Sequence, residues 1–221
     1  MSGFILKLLA LVLMIIDHVG LVVFAGTSLY LPCRILGRIA FPIYAFLITE
    51  GYVHTRNVKK YGLRLLLFAF LSEIPFDYAF FGTFFYLNYQ NVFFTLSLGL
   101  AALVCFDVAA GNERAAENER RTLKSERIDA DKKEISDWSR QVHRSNIAKA
   151  LLILIVILAE MGHTDYGSFG IVMILLFYWL RNQKAVCVLA TSAALIGYGF
   201  LGGFQVEGFG ATFIGVHSDE E

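Results

Sequence analysis

The sequence predicts an all-α, polytopic transmembrane helical bundle, and three observations lead to that prediction. Of its 221 residues, 57% are hydrophobic and only 17% are charged, whereas a soluble domain is about half apolar and about a quarter charged. The apolar residues form long runs, and the run over residues 4–25 is long enough to cross a bilayer. Basic residues are concentrated in alternate connections between the runs. Because unsatisfied backbone groups are costly in lipid, repeated runs of this length are expected to be helices.

About seven spans are predicted, with the N-terminus in the cytoplasm. In this orientation every Lys and Arg except Arg34 and Arg38 lies on the cytoplasmic side, as the positive-inside rule requires. The first run contains Asp17 and His18 and lacks a small-residue cleavage site, so it is expected to be retained. The predicted spans are 4–26, 35–54, 61–82, 91–110, 147–163, 167–181 and 184–203.

Three regions are predicted along the chain. Residues 1–110 form four transmembrane helices that carry most of the site, and residues 147–221 form about three more with a C-terminal tail. Between them, the mixed charges of residues 111–146 predict a cytoplasmic loop, either a solvated helix or partly disordered. We expect a multi-pass protein of the bacterial cytoplasmic membrane, with the lipid bilayer as partner and no nucleic acid. The cysteines show neither disulfide nor metal spacing, and no metal is predicted.

The ionisable and polar residues at membrane depth gather near the extracytoplasmic side. A rise of about 1.5 Å per helical residue brings most of them to one level, and only Glu50 and Asp107 lie towards the cytoplasm. Residues of this kind inside a membrane mark functional sites. The gathered residues are Asp17, His18, Arg34, Arg38, Glu73, Asp77, Asn91, Glu160, His163 and Asp165.

The spacing of four of these residues favours ion pairs. Arg34 and Arg38 are four positions apart and share a helix face, as do Glu73 and Asp77. Two arginines facing two carboxylates can neutralise each other, which burial requires. The alternative interpretation is that such pairs only fix the packing of the helices.

His18 is the strongest candidate for chemistry, because a histidine at membrane depth is costly and histidine titrates near neutral pH. Adjacent helical residues point about 100° apart, so Asp17 does not easily hydrogen-bond to its neighbour. The carboxylate that orients His18 is therefore expected on another helix, with Glu73 or Glu160 as candidates.

Several motifs resemble those of the TraX family, whose named member acetylates the N-terminus of a conjugative pilin. They are the DH of LKLLALVLMIIDHVG, the pattern RxxGRxAFPxxAF, EGxxHTR, SEIPFD and NVFFTL, and the resemblance runs from about Leu6 to Arg181. Family members end in a further apolar segment with a Pro-x-His motif. This sequence ends in GFLGGFQVEGFGATFIGVHSDEE, so an atypical C-terminus is expected.

The resemblance implies an enzyme. The family is similar to the acyltransferase-3 group and the lysosomal heparan glucosaminide N-acetyltransferase, which use cytosolic acyl-CoA to acylate acceptors across a membrane. By that resemblance His18 is the catalytic base or a transient acyl carrier, Asp17 positions it, and Arg34 and Arg38 hold the anionic donor or the oxyanion. Together with the residue pattern, the resemblance predicts catalytic roles for His18, Asp17 and Glu73. It predicts substrate-binding roles for Arg34, Arg38, Asp77, Asn91, Glu160 and His163.

The sequence therefore predicts a membrane O- or N-acetyltransferase that takes an acetyl group from acetyl-CoA. Its acceptor is an amine or hydroxyl of a peptide, glycan or lipid at the membrane or its outer side. Two alternatives stay open, a proton-coupled small-molecule transporter and a non-catalytic membrane scaffold. Clustered ionisable residues also mark proton relays, but the two halves of the chain show no internal repeat.

Overall fold

The computed structural model describes residues 3–125, 132–183, 185–194 and 197, and every regular element in these ranges is a helix. A short helix at Ala185–Ala194 follows the seven numbered ones. The predicted all-α class is confirmed. The numbered helices are α1 (Gly3–Val22), α2 (Tyr30–Arg38), α3 (Ala40–His54), α4 (Val58–Phe81), α5 (Val92–Ser125), α6 (Lys132–Met161) and α7 (Gly167–Trp179).

Four helical segments are long and apolar enough to cross a membrane, and they identify a membrane protein. They contain 20 to 25 residues each, and 20 helical residues rise about 30 Å, the thickness of the hydrocarbon core. Their large apolar side chains are widely exposed, as on α1, which is the reverse of a soluble fold and fits contact with lipid. The segments are Gly3–Val22, Tyr30–His54, Val92–Gly111 and Ser139–Met161.

The other three predicted spans coincide with helices that do not have this length and composition. The apolar run of α4 is interrupted by Arg64, Glu73 and Asp77. Helix α7 has 13 residues, and the helix at Ala185–Ala194 is also short. The rest of the seventh predicted span, residues 195–203, lies outside the described residues except for Gly197. The count of seven spans and the cytoplasmic N-terminus stay predictions.

The segment Tyr30–His54 is divided at Ile39, where α2 ends and α3 begins. Pro42 follows three positions later and explains the division. A proline lacks the N–H that would bond the carbonyl four residues back, here that of Arg38, and its ring crowds that carbonyl. Arg34 and Arg38 therefore lie on a short helix of their own.

Helices α5 and α6 extend beyond the predicted spans into the hydrophilic segment 111–146, as far as Ser125 and from Lys132. They pack against each other, and small residues of both helices are buried, as packing in a membrane favours: Ala102, Ala109, Ala148 and Ala159. The buried Ser145 hydroxyl donates to the carbonyl of Ala109 at 3.3 Å.

The chain forms two compact units. The first unit comprises Met1–Gly51, Ala79–Gly82 and Val172–Glu221, and the second comprises Tyr52–Tyr78 and Thr83–Ile171. In the first unit α1 packs on α2, and α3 packs on the end of α7. The buried Thr49 hydroxyl lies 3.3 Å from the carbonyl of Ile174.

In the second unit α4 packs on the start of α5 through paired aromatic rings. Phe68 stacks on Phe93, and Phe70 meets Phe94 edge to face with ring centroids 5.3 Å apart. Asn57 caps the beginning of α4, because its Oδ1 accepts a hydrogen bond from the Lys60 amide at 2.9 Å. This packing places the polar residues of α4 beside the beginning of α5.

Candidate functional site

An ion pair between α1 and α2 is the centre of the candidate site in the first unit. Arg34 Nη1 donates to Asp17 Oδ2 at 2.5 Å, and both side chains are largely buried. A charge-assisted bond of this kind satisfies two groups that would be costly to bury alone. Arg34 Nε is buried and meets no acceptor within the described ranges.

Two glycines let the helices approach closely enough for this pair. A β-carbon at Gly37 of α2 would overlap the side chain of Asp17, and one at Gly20 of α1 would lie 2.5 Å from the β-carbon of Cys33. Small residues at such positions are what permits close contact between helices in a membrane. Gly37 belongs to the RxxGR motif, which therefore supplies both the cation and the space for its partner.

His18 is oriented by its own helix. Its Nδ1 lies 2.8 Å from the carbonyl oxygen of Met14, one turn earlier on α1. A carbonyl oxygen can only accept, so Nδ1 carries the proton and the lone pair of the neutral ring lies on Nε2. The Met14 carbonyl therefore orients the ring from within α1, and an orienting carboxylate on another helix stays a prediction.

The surroundings of His18 combine an aromatic ring and a charge. The ring meets that of Phe80 edge to face, with centroids 5.1 Å apart, and the side chain stays 39% exposed. Nδ1 is 4.0 Å from Asp17 Oδ2, which is too long for a hydrogen bond. The two neighbours therefore interact through the field of the carboxylate, as their position on adjacent helical residues predicts.

The two arginines of α2, Arg34 and Arg38, differ in their surroundings. Arg34 pairs with Asp17, a partner that the sequence interpretation had not assigned to it. Arg38 is the last residue of α2 and is half-buried. The first unit thus brings together Asp17, His18 and Arg34, while Glu73 and Asp77, the expected partners of the arginines, belong to the second unit.

In the second unit Glu73 accepts hydrogen bonds from Asn91. Glu73 Oε2 accepts from the Asn91 amide nitrogen at 3.2 Å and from its side-chain Nδ2. Asn91 also donates to the Ala69 carbonyl at 2.9 Å, and its Oδ1 accepts from the Phe93 amide. Asn91 is therefore the N-cap of α5 and ties that helix to α4. The contacts assign both residues a clear part in packing.

Asp77 holds the connection between α4 and α5. This carboxylate is 1% exposed, and its Oδ2 accepts a hydrogen bond from the Tyr86 amide at 2.7 Å. Burial of the charge is thus partly offset by a backbone donor.

Glu160 lies in the last turn of α6, and His163 lies in the connection between α6 and α7. Glu160 Oε1 accepts from the Ser168 amide at 2.8 Å, in the first turn of α7, where a negative charge is favourable. A β-carbon at Gly167 would crowd that carboxylate. His163 has a positive φ of 45° and its carbonyl accepts from the Gln90 amide at 3.1 Å.

A hydrogen bond between Tyr89 and Asp165 joins the connection between α4 and α5 to the connection between α6 and α7. It was not expected from the sequence. The Tyr89 hydroxyl donates to Asp165 Oδ1 at 2.6 Å. An isolated β-bridge pairs the backbones of Gln90 and Thr164. No role was predicted for Tyr89, because an isolated tyrosine in a loop carries no spacing signal. Within the described ranges, no three His, Cys, Asp or Glu side chains converge as a metal site.

Chemically, the first unit offers a base and a cation within one helix pair. Nε2 of a neutral His18 can accept a proton, and the Arg34 guanidinium can stabilise negative charge. The second unit offers carboxylates that bond to helix starts and to loop backbone.

Comparison with known proteins gives three findings. The family model described as TraX protein matches residues 2–219. A relative in Dichelobacter nodosus, named "Probable fimbrial assembly protein FimC, serogroup H1", is 37% identical over 113 residues, which cover 47% of this chain and 46% of the relative. The match thus spans about half the length of that relative. No solved structure matches the chain.

Proposed function

This chain belongs to the TraX family, and we propose that it is a membrane acyltransferase. It moves an acetyl group from acetyl-CoA to an amine or hydroxyl acceptor. The observation that carries the proposal is the hydrogen bond from His18 Nδ1 to the Met14 carbonyl. It holds the imidazole in the tautomer whose Nε2 accepts protons, on a helix long and apolar enough to cross the membrane.

In the proposed step, Nε2 of His18 takes the proton of the acceptor amine or hydroxyl as that group attacks the thioester carbonyl. A bond forms from nitrogen or oxygen to the acyl carbon, and the bond from that carbon to sulfur breaks. The proton on His18 then passes to the CoA thiolate, which leaves as the thiol. A positioned base of this kind accelerates a reaction by about 10²–10⁴.

Arg34 is the proposed electrophilic partner. Its Nη1 is held by Asp17 at 2.5 Å, while the buried Nε meets no acceptor within the described ranges. A guanidinium fixed in this way can donate to an oxyanion without reorganising, which is the property that stabilises a transition state. Arg38, four positions later on α2, is proposed to hold the anionic donor.

The name of the Dichelobacter nodosus relative supports a role in fimbrial assembly. The first acceptors to test are therefore peptides with a free N-terminal amine. Because function lives in the site and not in the fold, glycan hydroxyls and lipid amines form a second panel.

The test is release of CoA and transfer of labelled acetyl by the full chain in nanodiscs, with each acceptor panel and without acceptor. Acceptor-dependent release supports a general base. A stoichiometric burst without acceptor supports the acyl-carrier form of the same proposal. Absence of both, from folded protein with every panel, would contradict the proposal. Proton-coupled uptake into proteoliposomes would then favour the transporter, the other function that buried ionisable residues support.

A further inference from the structure

The loop between α4 and α5 is ordered and yet displays apolar side chains. We define the aromatic loop as residues 83–88, which read TFFYLN. Phe84, Phe85 and Leu87 are 62%, 77% and 85% exposed. From Tyr78 to Phe106 the sequence contains no Asp, Glu, Lys or Arg. Exposed apolar groups of this density mark a surface that has a partner.

Specific contacts within the second unit hold this loop in place. The Tyr86 amide donates to the buried Asp77 carboxylate at 2.7 Å, and the ring of Phe84 stacks on Tyr78 with centroids 5.4 Å apart. Just after the loop, the Gln90 amide donates to the His163 carbonyl, and the Gln90 carbonyl accepts from the Asp165 amide at 3.0 Å. Since the loop is tied at its middle and its end, the exposure of its apolar side chains is a fixed feature.

The exposed face of α4 indicates which partner covers the loop. Leu67, Leu71, Ile74 and Tyr78 are exposed and lie at spacings of four, three and four residues, so they share one helix face. The stack of Tyr78 on Phe84 continues this face into the aromatic loop. In a membrane protein such a face is covered by lipid, and aromatic residues are enriched where a helix meets the membrane surface.

From this continuity we infer that the aromatic loop inserts into the lipid bilayer at the boundary between head groups and acyl chains. Phe85 and Leu87 are the inserted side chains. The Asp77 carboxylate holds the loop from the protein side, so this buried acid has a function in membrane anchoring independent of any substrate. The inference does not depend on the proposed acyl transfer.

The test uses tryptophan fluorescence of the full chain in phosphatidylcholine vesicles. Trp138 and Trp179 are replaced by Phe, and Phe85→Trp and Leu87→Trp are introduced one at a time as independent reporters. Lipids brominated in the upper acyl chain are then compared with unbrominated lipids. An inserted side chain lies about 5–10 Å into the boundary, so we expect blue-shifted emission that falls by roughly half or more. The matched control is Asn182→Trp, an exposed polar position between Arg181 and Gln183, where no quenching is expected.

Two outcomes would overturn the inference. Red-shifted, unquenched emission from both reporters would place the loop in water. Blue-shifted emission that ignores the brominated lipids would show that protein, such as a second copy of this chain, covers the loop. Quenching at either reporter with none at Asn182→Trp supports insertion.

Discussion

A β-carbon at Gly37 would overlap the β-carbon and carboxylate of Asp17, so the ion pair between α1 and α2 depends on a glycine at this position. The overlap involves atoms close to the backbone, which cannot move aside without shifting a helix. The RxxGR motif is therefore a geometric requirement of the site.

Substitution of Gly37 by Ala is expected to separate α1 from α2 and to disturb the bond from Arg34 to Asp17. Overpacking of this kind costs about 1–3 kcal/mol, so we expect a lower unfolding temperature in detergent together with lower acetyl transfer. The matched control is Gly62→Ala in α4, where a β-carbon would meet Leu100 at an ordinary 3.6 Å. Equal stability of the two variants would show that the close approach is not required.

The pair of Asp17 with Arg34 is expected to be strongly coupled. Asp17→Asn or Arg34→Met alone leaves one buried group without its partner, at a cost of about 1–3 kcal/mol. The double variant removes both groups and should recover part of that stability. Thermal unfolding of the four proteins in one detergent measures the coupling, and additive effects would argue against a direct pair.

The tautomer of His18 can be observed directly. We expect a neutral imidazole with the proton on Nδ1, because that nitrogen faces the Met14 carbonyl at 2.8 Å. Nitrogen-15 spectra of histidine-labelled protein above neutral pH report the tautomer, and the signal is assigned by its loss in His18→Asn. A proton on Nε2 would remove the proposed base.

The Glu160 carboxylate is expected to stabilise α7 by accepting from the Ser168 amide. Glu160→Ala should cost about 0.5–2 kcal/mol, the usual value of an N-terminal cap. Glu160→Gln keeps an acceptor oxygen and should cost less. Unfolding measurements on the two variants decide this, and an equal effect would mean that the bond to α7 is not the source of stability.

Arg38→Lys is expected to lower acetyl transfer by at least about tenfold, the equivalent of one charge-assisted hydrogen bond. An ammonium does not reproduce the planar, bidentate contact of a guanidinium. The control is Arg56→Lys, at an exposed position in the basic connection before α4. Equal transfer by the Arg38→Lys protein would show that charge alone is needed there.

The sequence predicted the helical class and the membrane setting, because long apolar runs have few other structures available to them. It also singled out Asp17, His18 and Arg34, since ionisable residues in such runs are costly. The groups that contact these three residues could not be predicted from the sequence. The Met14 carbonyl is a backbone atom without a sequence signal, and the approach of Gly37 to Asp17 depends on three-dimensional packing.

The side chains that bind the starts of α5 and α7 could be recognised from the sequence only in part. Asn91 stands directly before the apolar run of α5, so an N-cap could have been recognised from its position. Glu160 acts on Ser168 across a turn through Gly167, whose positive φ of 47° is invisible in the residue pattern. The sequence analysis grouped Asn91 and Glu160 with the charged residues by their estimated depth in the membrane. Depth does not distinguish side chains that bind each other from side chains that bind the ends of helices. The C-terminal tail, for which an atypical end was predicted, lies outside the described residues.

The most direct measurement compares CoA release and acetyl transfer by the wild-type chain and His18→Asn in nanodiscs. The asparagine amide can still donate to the Met14 carbonyl from near the position of Nδ1, but it has no basic nitrogen in place of Nε2. We predict unchanged unfolding and a loss of transfer of about 10²–10⁴, while His143→Asn at an exposed position of α6 keeps wild-type transfer. Transfer by the folded His18→Asn protein at the wild-type rate would contradict the account.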